Sequence, residues 1–308
     1  MADMIFSGVT FSGGYSITLP PAGNKAIFGY GFTGSLTAIT NLVSNTGVVA
    51  TDTTGVGTAR LYLAASGYGT DKSIFGYGYA GSARVSMTNL VSNTGVVATD
   101  TTGVGTARYY LAAAGYGTDK AIFGYGYSTV QVSITNLVSN TGVVATDTTG
   151  VGTARSYLAA AGYGTDKAIF GYGDTGTVTA VTNLVSNTGV VATNTTGVGT
   201  ARAQLAAAGY GTDKALFGYG APDLVTAVTN LVSNTGVVAT DTAGVGTARL
   251  ELAAAGYGTD KAIFGYGESG VTRLSMTNLV SNTGVVATDT TGVGTARRSL
   301  AAASYGLS

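Results

Sequence analysis

The chain has 308 residues, and its 15 Lys and Arg balance its 15 Asp and Glu. Only 10% of residues are charged, so there is no basic field for phosphate backbones, and nucleic acid is not an expected partner. Cys and His are both absent, which excludes disulfides and removes thiolate and imidazole metal ligands together with the commonest general base. This composition argues against an enzyme and predicts neither a cofactor nor a metal site.

Residues 1–24 precede the first repeat and are interpreted as an N-terminal extension. The opening "MADMIFSGVTFSGGYSITLPP" has no positive segment and no unbroken apolar run, and no other stretch is long and apolar enough to span a bilayer. The sequence therefore predicts a soluble protein without a signal peptide, in a compartment left open. "MIFSG" and "YSITL" resemble pieces of the repeat unit and predict a small β-hairpin.

A repeat of 47 residues fills the rest of the chain, residues 25–308. Lysines mark the same point of each copy, and one step of 48 shows that the second copy carries an extra residue. The segment "TNLVSNTGVVATDTTGVGTAR" occurs unchanged at residues 40–60, 88–108, 135–155 and 277–297. The marking lysines are Lys25, Lys72, Lys120, Lys167, Lys214 and Lys261. Repeats of this length are typical of propellers and helical arrays.

Four short strands are predicted in each unit, which makes the chain all-β. In the third unit they are "KAIFGYG" (120–126), "VSITNLV" (132–138), "VVATD" (143–147) and "YLAAAGYG" (157–164). Turn residues separate them, and the Gly, Thr and Val content disfavours helices. Four-stranded antiparallel sheets repeated six times predict a β-propeller of six blades.

The order "TARSYLAAAGYGTDKAIFGYG" (153–173) resembles the kelch repeat. That family runs from an Arg through a small-residue strand and an acidic turn into an apolar strand that ends in glycines. The resemblance covers residues 25–308 and implies a six- or seven-bladed propeller. The unit departs from it by having "GYG" in place of a glycine pair and by lacking the later Trp.

The two ends of the repeat region predict how such a ring closes. The first repeat begins at Lys25 without its small-residue strand, and the chain ends with another copy of it, "SLAAASYG" (299–306). We expect this C-terminal strand to complete the first blade and so remove the open sheet edges. A seven-bladed ring with a degenerate blade built from both termini is the alternative.

Two windows vary strongly between the copies. The first follows "FGYG" and includes Tyr79, Arg84 and Gln131; the second follows the repeated Arg and includes Tyr62 and Tyr110. In a kelch-like propeller both lie on one face near the channel mouth, so the resemblance implies a shared surface. The ligand-binding candidates are Phe32, Tyr62, Tyr79, Arg84, Tyr110, Tyr127, Gln131, Tyr157, Asp174, Gln204, Asp223, Glu251, Glu268, Arg273 and Arg298.

These side chains predict an aromatic side, from tyrosines in the second to fourth units, and an acidic side in the fourth to sixth. Such a face suits a glycan or a protein segment, because Tyr offers amphipathic area at low entropic cost. We therefore expect a non-enzymatic, monomeric recognition module. The alternative is a structural scaffold, engineered or recently amplified and without a ligand, in which the windows differ only by drift.

One Arg recurs at an equivalent position in every unit. We expect these six side chains to form surface ion pairs with the Asp52-type carboxylates, although an anion site on the axis is an alternative. They are Arg60, Arg108, Arg155, Arg202, Arg249 and Arg297.

Overall fold

The computed structural model describes residues 9–10, 16–17 and 24–306. Over these ranges the protein consists of β-strands and turns, with no helix. Accordingly, no helix in the described part of the chain has the length and apolarity needed to cross a membrane. The predicted all-β class with tandem repeats is confirmed.

The strands follow one another at regular intervals. In chain order they are β1 (Val9–Thr10), β2 (Ser16–Ile17), β3 (Lys25–Phe32), β4 (Leu36–Val43), β5 (Ala64–Tyr68), β6 (Lys72–Gly76), β7 (Thr88–Val91), β8 (Ala112–Tyr116), β9 (Lys120–Gly124), β10 (Thr135–Val138), β11 (Ala159–Tyr163), β12 (Lys167–Gly171), β13 (Thr182–Val185), β14 (Ala206–Tyr210), β15 (Lys214–Gly218), β16 (Thr229–Val232), β17 (Ala253–Tyr257), β18 (Lys261–Gly265), β19 (Glu268–Ser269), β20 (Thr272–Arg273), β21 (Thr277–Val280) and β22 (Ala301–Tyr305).

Six three-stranded antiparallel sheets make up the repeat region, and we number them as units 1 to 6. Each unit has a first strand of small residues, a central second strand and a third strand "TNLV", as in β8–β9–β10 of unit 3. In unit 1 the first strand is β22, which pairs with β3 so that Ala301 faces Gly29 and Tyr305 faces Lys25. The C-terminal strand thus completes the first sheet, as the chain ends predict. Strands β1 and β2 pair with each other in a separate sheet. The segment "MIFSG" (4–8), from which a hairpin was predicted, lies outside the described residues, so that hairpin stays a prediction.

The predicted fourth strand is not a regular strand. "VVATD" touches the third strand only through isolated bridges, Val144 with Val138 and Thr148 with Thr135 in unit 3. Between these bridges the buried Asn136 side chain donates to the Ala145 carbonyl at 3.0 Å and to Asp147 at 2.9 Å. Side-chain hydrogen bonds therefore replace the ladder at this edge, and the prediction of four-stranded sheets is corrected to three strands plus a bridged segment.

The core lies between neighbouring sheets because the second strand is buried on both faces. Ala121, Ile122 and Phe123 are fully buried, and the same holds for the matching residues of the other units. Phe123 meets the Tyr77 ring of unit 2 edge to face, with centroids 5.1 Å apart. A Cβ at Gly76 would lie 2.7 Å from the Phe123 ring, so only glycine allows this approach.

The six repeated arginines are buried between units rather than exposed, so the prediction that they lie at the surface is wrong. The predicted ion pairs with the Asp52-type carboxylates are present in two cases, Arg108 with Asp147 and Arg249 with Asp289, both at 3.9 Å. Arg60 is fully buried, and its guanidinium carbon lies 4.4 Å above the centroid of the Tyr30 ring of unit 1. Its Nε and Nη2 donate to unit 2, to the Tyr77 carbonyl at 2.8 Å and to Asn89 at 2.7 Å. A planar guanidinium can stack on an aromatic ring while its edge makes hydrogen bonds, which explains Arg at this position.

The Asp52-type carboxylates also join neighbouring units. In unit 2, Asp100 accepts hydrogen bonds from the backbone N–H and hydroxyl of Thr58, at 3.1 and 2.6 Å. Burial acts to raise the pKa of Asp100, but these hydrogen bonds and Arg60 outweigh it, and the pKa falls below its usual range. Asn194 replaces the Asp in unit 4 and keeps both contacts with Thr153. Its Oδ1 accepts from the Thr153 N–H at 3.1 Å, and its Nδ2 donates to the Thr153 hydroxyl at 2.7 Å.

Candidate functional site

The two variable windows are joined by backbone hydrogen bonds. In unit 2, Leu61 of the second window and Tyr79 of the first exchange N–H···O bonds of 3.1 and 2.9 Å. The equivalent bridges are Phe32 with Arg298, Tyr109 with Tyr127, Ser156 with Asp174, Ala203 with Ala221 and Leu250 with Glu268. Both windows therefore belong to one surface, which we call the variable face.

The second-window residues also bond from unit to unit. One residue per unit has a left-handed backbone, with φ between 54° and 57°, and donates its N–H to the equivalent residue of another unit. These bonds, of 2.8 to 3.1 Å, are Tyr62 to Ser299, Tyr110 to Tyr62, Tyr157 to Tyr110, Gln204 to Tyr157, Glu251 to Gln204 and Ser299 to Glu251. The six side chains line a small cavity of about 70 Å³ together with six repeated leucines.

A cluster of six tyrosines occupies units 2 to 4 of the variable face. Tyr110 stacks on Tyr157 with ring centroids 3.6 Å apart and lies 4.1 Å from Tyr62. Tyr109 extends the cluster outward, with ring centroids 5.6 Å from both Tyr79 and Tyr127. Burial raises the pKa of Tyr157 to about 12 and also raises the pKa values of Tyr109 and Tyr110, so these three hydroxyls are neutral near pH 7 and act as hydrogen-bonding groups.

Two carboxylates of the expected acidic side, Glu251 and Glu268, are neutralised by internal ion pairs. Glu251 is 9% exposed and accepts hydrogen bonds from Arg298 Nη1 at 2.5 Å, from Gln204 Nε2 at 2.9 Å and from the Ser299 hydroxyl. Arg298 Nε also lies 3.1 Å from Glu268 Oε2. Burial opposes the charge of Arg298, but Glu251 and Glu268 outweigh it and raise its pKa. The charges of Glu251 and Glu268 are therefore already paired within the protein.

In units 3 and 6, the side chain four residues before "TN" donates a hydrogen bond to the next unit. Gln131 Nε2 donates to the Asp174 backbone carbonyl at 3.0 Å, and Arg273 Nη1 donates to the Thr33 carbonyl at 3.2 Å. Arg84, in the same slot of unit 2, is exposed and has no ion pair within the described ranges. Leu36, Val178 and Val225 fill this slot in the other units.

Of the remaining candidates, Arg298 reaches the tyrosine cluster, because its Nη1 donates to the Tyr62 hydroxyl at 3.4 Å. Arg273 and Arg298 cover the Phe32 ring at 4.9 and 5.4 Å. Asp174 accepts a hydrogen bond from the Gly176 N–H at 2.6 Å. Asp223 is exposed near the tip of its window and forms no ion pair with any residue whose position is described.

Two residues that the sequence analysis did not rank as binding candidates belong to the site. Tyr109 connects the inner and outer tyrosines, and Ser299 bonds the buried carboxylate of Glu251. Both lie in the second window, which varies at two adjacent positions per unit. The variation at both positions is therefore visible in the sequence. Adjacent strand residues normally point to opposite faces. Here the second position has a left-handed backbone, which breaks this alternation, and both side chains belong to the site.

The opposite end of the first strands opens into a wider cavity of about 350 Å³. Ala and Tyr residues of every unit line it, together with Gly, Thr and Lys residues of units 2 to 6, so it distinguishes those five units little from one another. Each lysine of units 2 to 6 pairs with the preceding Asp, as Lys120 does with Asp119 at 2.8 Å. Asn24 takes the place of that Asp in unit 1.

No protein-family model matches the chain, and none of the curated proteins searched matches it. The described residues also contain no group of three or more carboxylates that could hold a metal ion.

Proposed function

We propose that the six units form a closed six-bladed β-propeller of kelch-like type. The support is that three inter-unit contacts each occur six times, the Phe–Tyr ring pair, the Arg–Tyr stack and the bond between Thr and Asp or Asn, and that each includes a contact between units 6 and 1. The Phe28 ring of unit 1 packs on Tyr266 of unit 6, and Asp52 bonds Thr295 as Asp100 bonds Thr58. Pairing of β22 with β3 leaves unit 1 complete without any use of β1 and β2, which favours six blades over seven.

We further propose that the protein is a non-enzymatic recognition module, with the variable face as its binding surface for a glycan or a polypeptide. One observation carries this proposal: variable residues from different units fit one another. Glu251 of unit 6 is bonded by Arg298 and Ser299 of unit 1 and by Gln204 of unit 5. Independent drift at exposed positions would not be expected to produce a buried carboxylate with matched donors from three units.

A structural scaffold without a ligand is the second candidate. It is favoured by the near-identity of the constant segments, in which even buried residues such as Ile122 and Ile169 are the same in almost every unit. In this case Glu251 and the variable residues that donate to it would serve only to hold the units together.

Replacing every variable window with that of unit 4 separates the two functions. The symmetrised chain keeps all constant contacts, and circular dichroism would verify that it folds. Glycan and peptide arrays would be screened with both chains. A recognition module binds array members that the symmetrised chain does not bind, whereas identical binding by both chains, or none by either, contradicts the proposal.

A further inference from the structure

The variable face carries aliphatic side chains that a carbohydrate would not cover well. Val130, Leu224 and Val271 stand at the tips of the first windows of units 3, 5 and 6 and are 63%, 82% and 93% exposed. Sugars bring mainly hydroxyl groups, which lose water without compensation when they are placed against aliphatic groups. Apolar side chains of a protein partner would instead gain by burying these tips.

The tyrosine cluster and Arg84 add the composition typical of a protein interface. Tyr and Arg are the residues most enriched among those that dominate binding energy at interfaces. Arg84 forms an antiparallel β-bridge with Tyr79, which places it beside the tyrosine cluster. An exposed guanidinium beside a set of aromatic rings can pair with a carboxylate while the rings bury the neighbouring apolar groups.

The charges left without ion pairs have opposite signs on opposite sides of the face. Glu251, Glu268, Arg273 and Arg298 pair with one another, and Asp174, which has no ion pair among the described residues, is half-buried and accepts hydrogen bonds from Gln131 and the Gly176 N–H. Arg84 of unit 2 and Asp223 of unit 5 are the exposed charges of the two windows that have no ion pair within the described part of the chain. In the six-membered ring proposed above, units 2 and 5 are three steps apart and therefore lie opposite each other. A partner lying across the channel mouth would meet a cation at one end and an anion at the other.

We infer that the variable face binds a polypeptide, with a carboxylate of the partner at Arg84, a basic side chain at Asp223 and apolar side chains on the tyrosines between them. This inference rests on the proposed recognition function and names its ligand class. Complementary charges at the rim of an interface select the partner and its orientation, while the central aromatic contacts provide most of the affinity.

The test uses random linear peptides displayed on phage and selected on the full chain. Peptides that bind are synthesised, and their dissociation constants are measured by calorimetry with the full chain and with the Arg84→Glu, Asp223→Lys and Lys120→Gln variants. All three residues are exposed, and thermal melting checks that the variants fold. Lys120→Gln is the control, because it lies at the opposite cavity.

We expect Arg84→Glu and Asp223→Lys each to weaken binding about tenfold, and Lys120→Gln to leave it unchanged. Exchanging the peptide's carboxylate for a lysine should restore binding to Arg84→Glu. The inference is overturned if no peptide is selected, or if selected peptides bind both charge-reversed variants as well as they bind the original chain. Glycan binding that requires the variable windows, without peptide binding, would overturn this inference and leave the recognition function standing.

Discussion

The packing of the units on one another depends on a few repeated residues, several of which are polar and buried. The six arginines show this most clearly, because each is fully buried, stacks on a Tyr ring and donates from Nε and Nη1 to backbone carbonyls. In four of them Nη2 also donates to an Asn, as in Arg108, whereas Nη2 of Arg155 and of Arg297 has no partner among the described residues. Burial lowers the pKa of Arg108, and Tyr77 and Asp147 oppose that change. A buried cation is tolerated when its hydrogen bonds are made, and its removal leaves several acceptors unpaired.

Ser73 is a buried polar side chain for which the described part of the chain provides no partner. It replaces the alanine found at this position of the second strand in the other five units, is fully buried, and its hydroxyl makes no hydrogen bond with any described residue. We expect Ser73→Ala to stabilise the protein by about 1 kcal/mol, because an unsatisfied hydroxyl is removed without leaving a large cavity. Chemical denaturation measures this.

The matched control reverses the change in unit 3. Ala121 occupies the same buried position, and Ala121→Ser should lower the free energy of unfolding by about 1 kcal/mol. If Ser73→Ala is destabilising, the hydroxyl has a partner and the reasoning is wrong.

At the scale of strands and turns, the pattern of the sequence predicts most of what is found. The alternation in "VSITNLV" and the apolar run "KAIFG" correctly predict the third and second strands, because both signals are local. The fourth strand was mispredicted because the side chain of Asn136 competes for the backbone acceptors of that segment. Local patterns also do not reveal the burial of Arg60, because the ring that covers it is Tyr30 of unit 1, thirty residues earlier in the chain.

The turn after the first strand holds a β-branched residue in an unfavourable conformation. Thr165 has φ 68°, as do its counterparts Thr70, Thr118 and Thr212 to within a degree. Asn tolerates the left-handed region better than a β-branched residue, so Thr165→Asn should stabilise the protein by about 0.5–1 kcal/mol. Thermal and chemical unfolding provide the measurement.

Unit 6 supplies the control for this turn. Thr259 occupies the same position, but its φ is not positive, and Gly258 forms a bridge with Asn24 instead. Thr259→Asn should therefore bring no gain. Equal stabilisation at both positions would show that backbone strain is not the cause.

For the molecule as a whole, the repeats create an ambiguity that the variable residues can resolve. The first strands of units 3 to 6 are identical, so sequence alone would allow several of them to pair with a second strand such as β3. The bonds of Glu251 to Arg298, Ser299 and Gln204 exist only when units 5, 6 and 1 stand in that order. Specific polar contacts of this kind are a known means of fixing register.

Closure by β22 is the feature on which the proposed ring depends most, and truncation tests it. A chain ending at Arg298 leaves one edge of β3 unpaired and lacks the backbone bonds of Ser299 and Gly306 to the neighbouring units. We expect it to lose about 3–5 kcal/mol of stability, or to associate through the open edge. Light scattering after size exclusion, together with chemical unfolding, distinguishes these outcomes from an unchanged monomer, which would contradict closure.

A synthetic peptide of residues 299–306 should restore a stable monomer, because an added strand can satisfy an exposed sheet edge. The control peptide carries Asp in place of Ala301 and Ala303, which are both buried, and Ala301 packs in one cluster with Leu63 and Phe75 of unit 2. Placing two carboxylates there is costly, so the control peptide should not rescue the truncated chain. Rescue by both peptides would mean that the packing of β22 between units 6 and 2 does not hold the molecule closed.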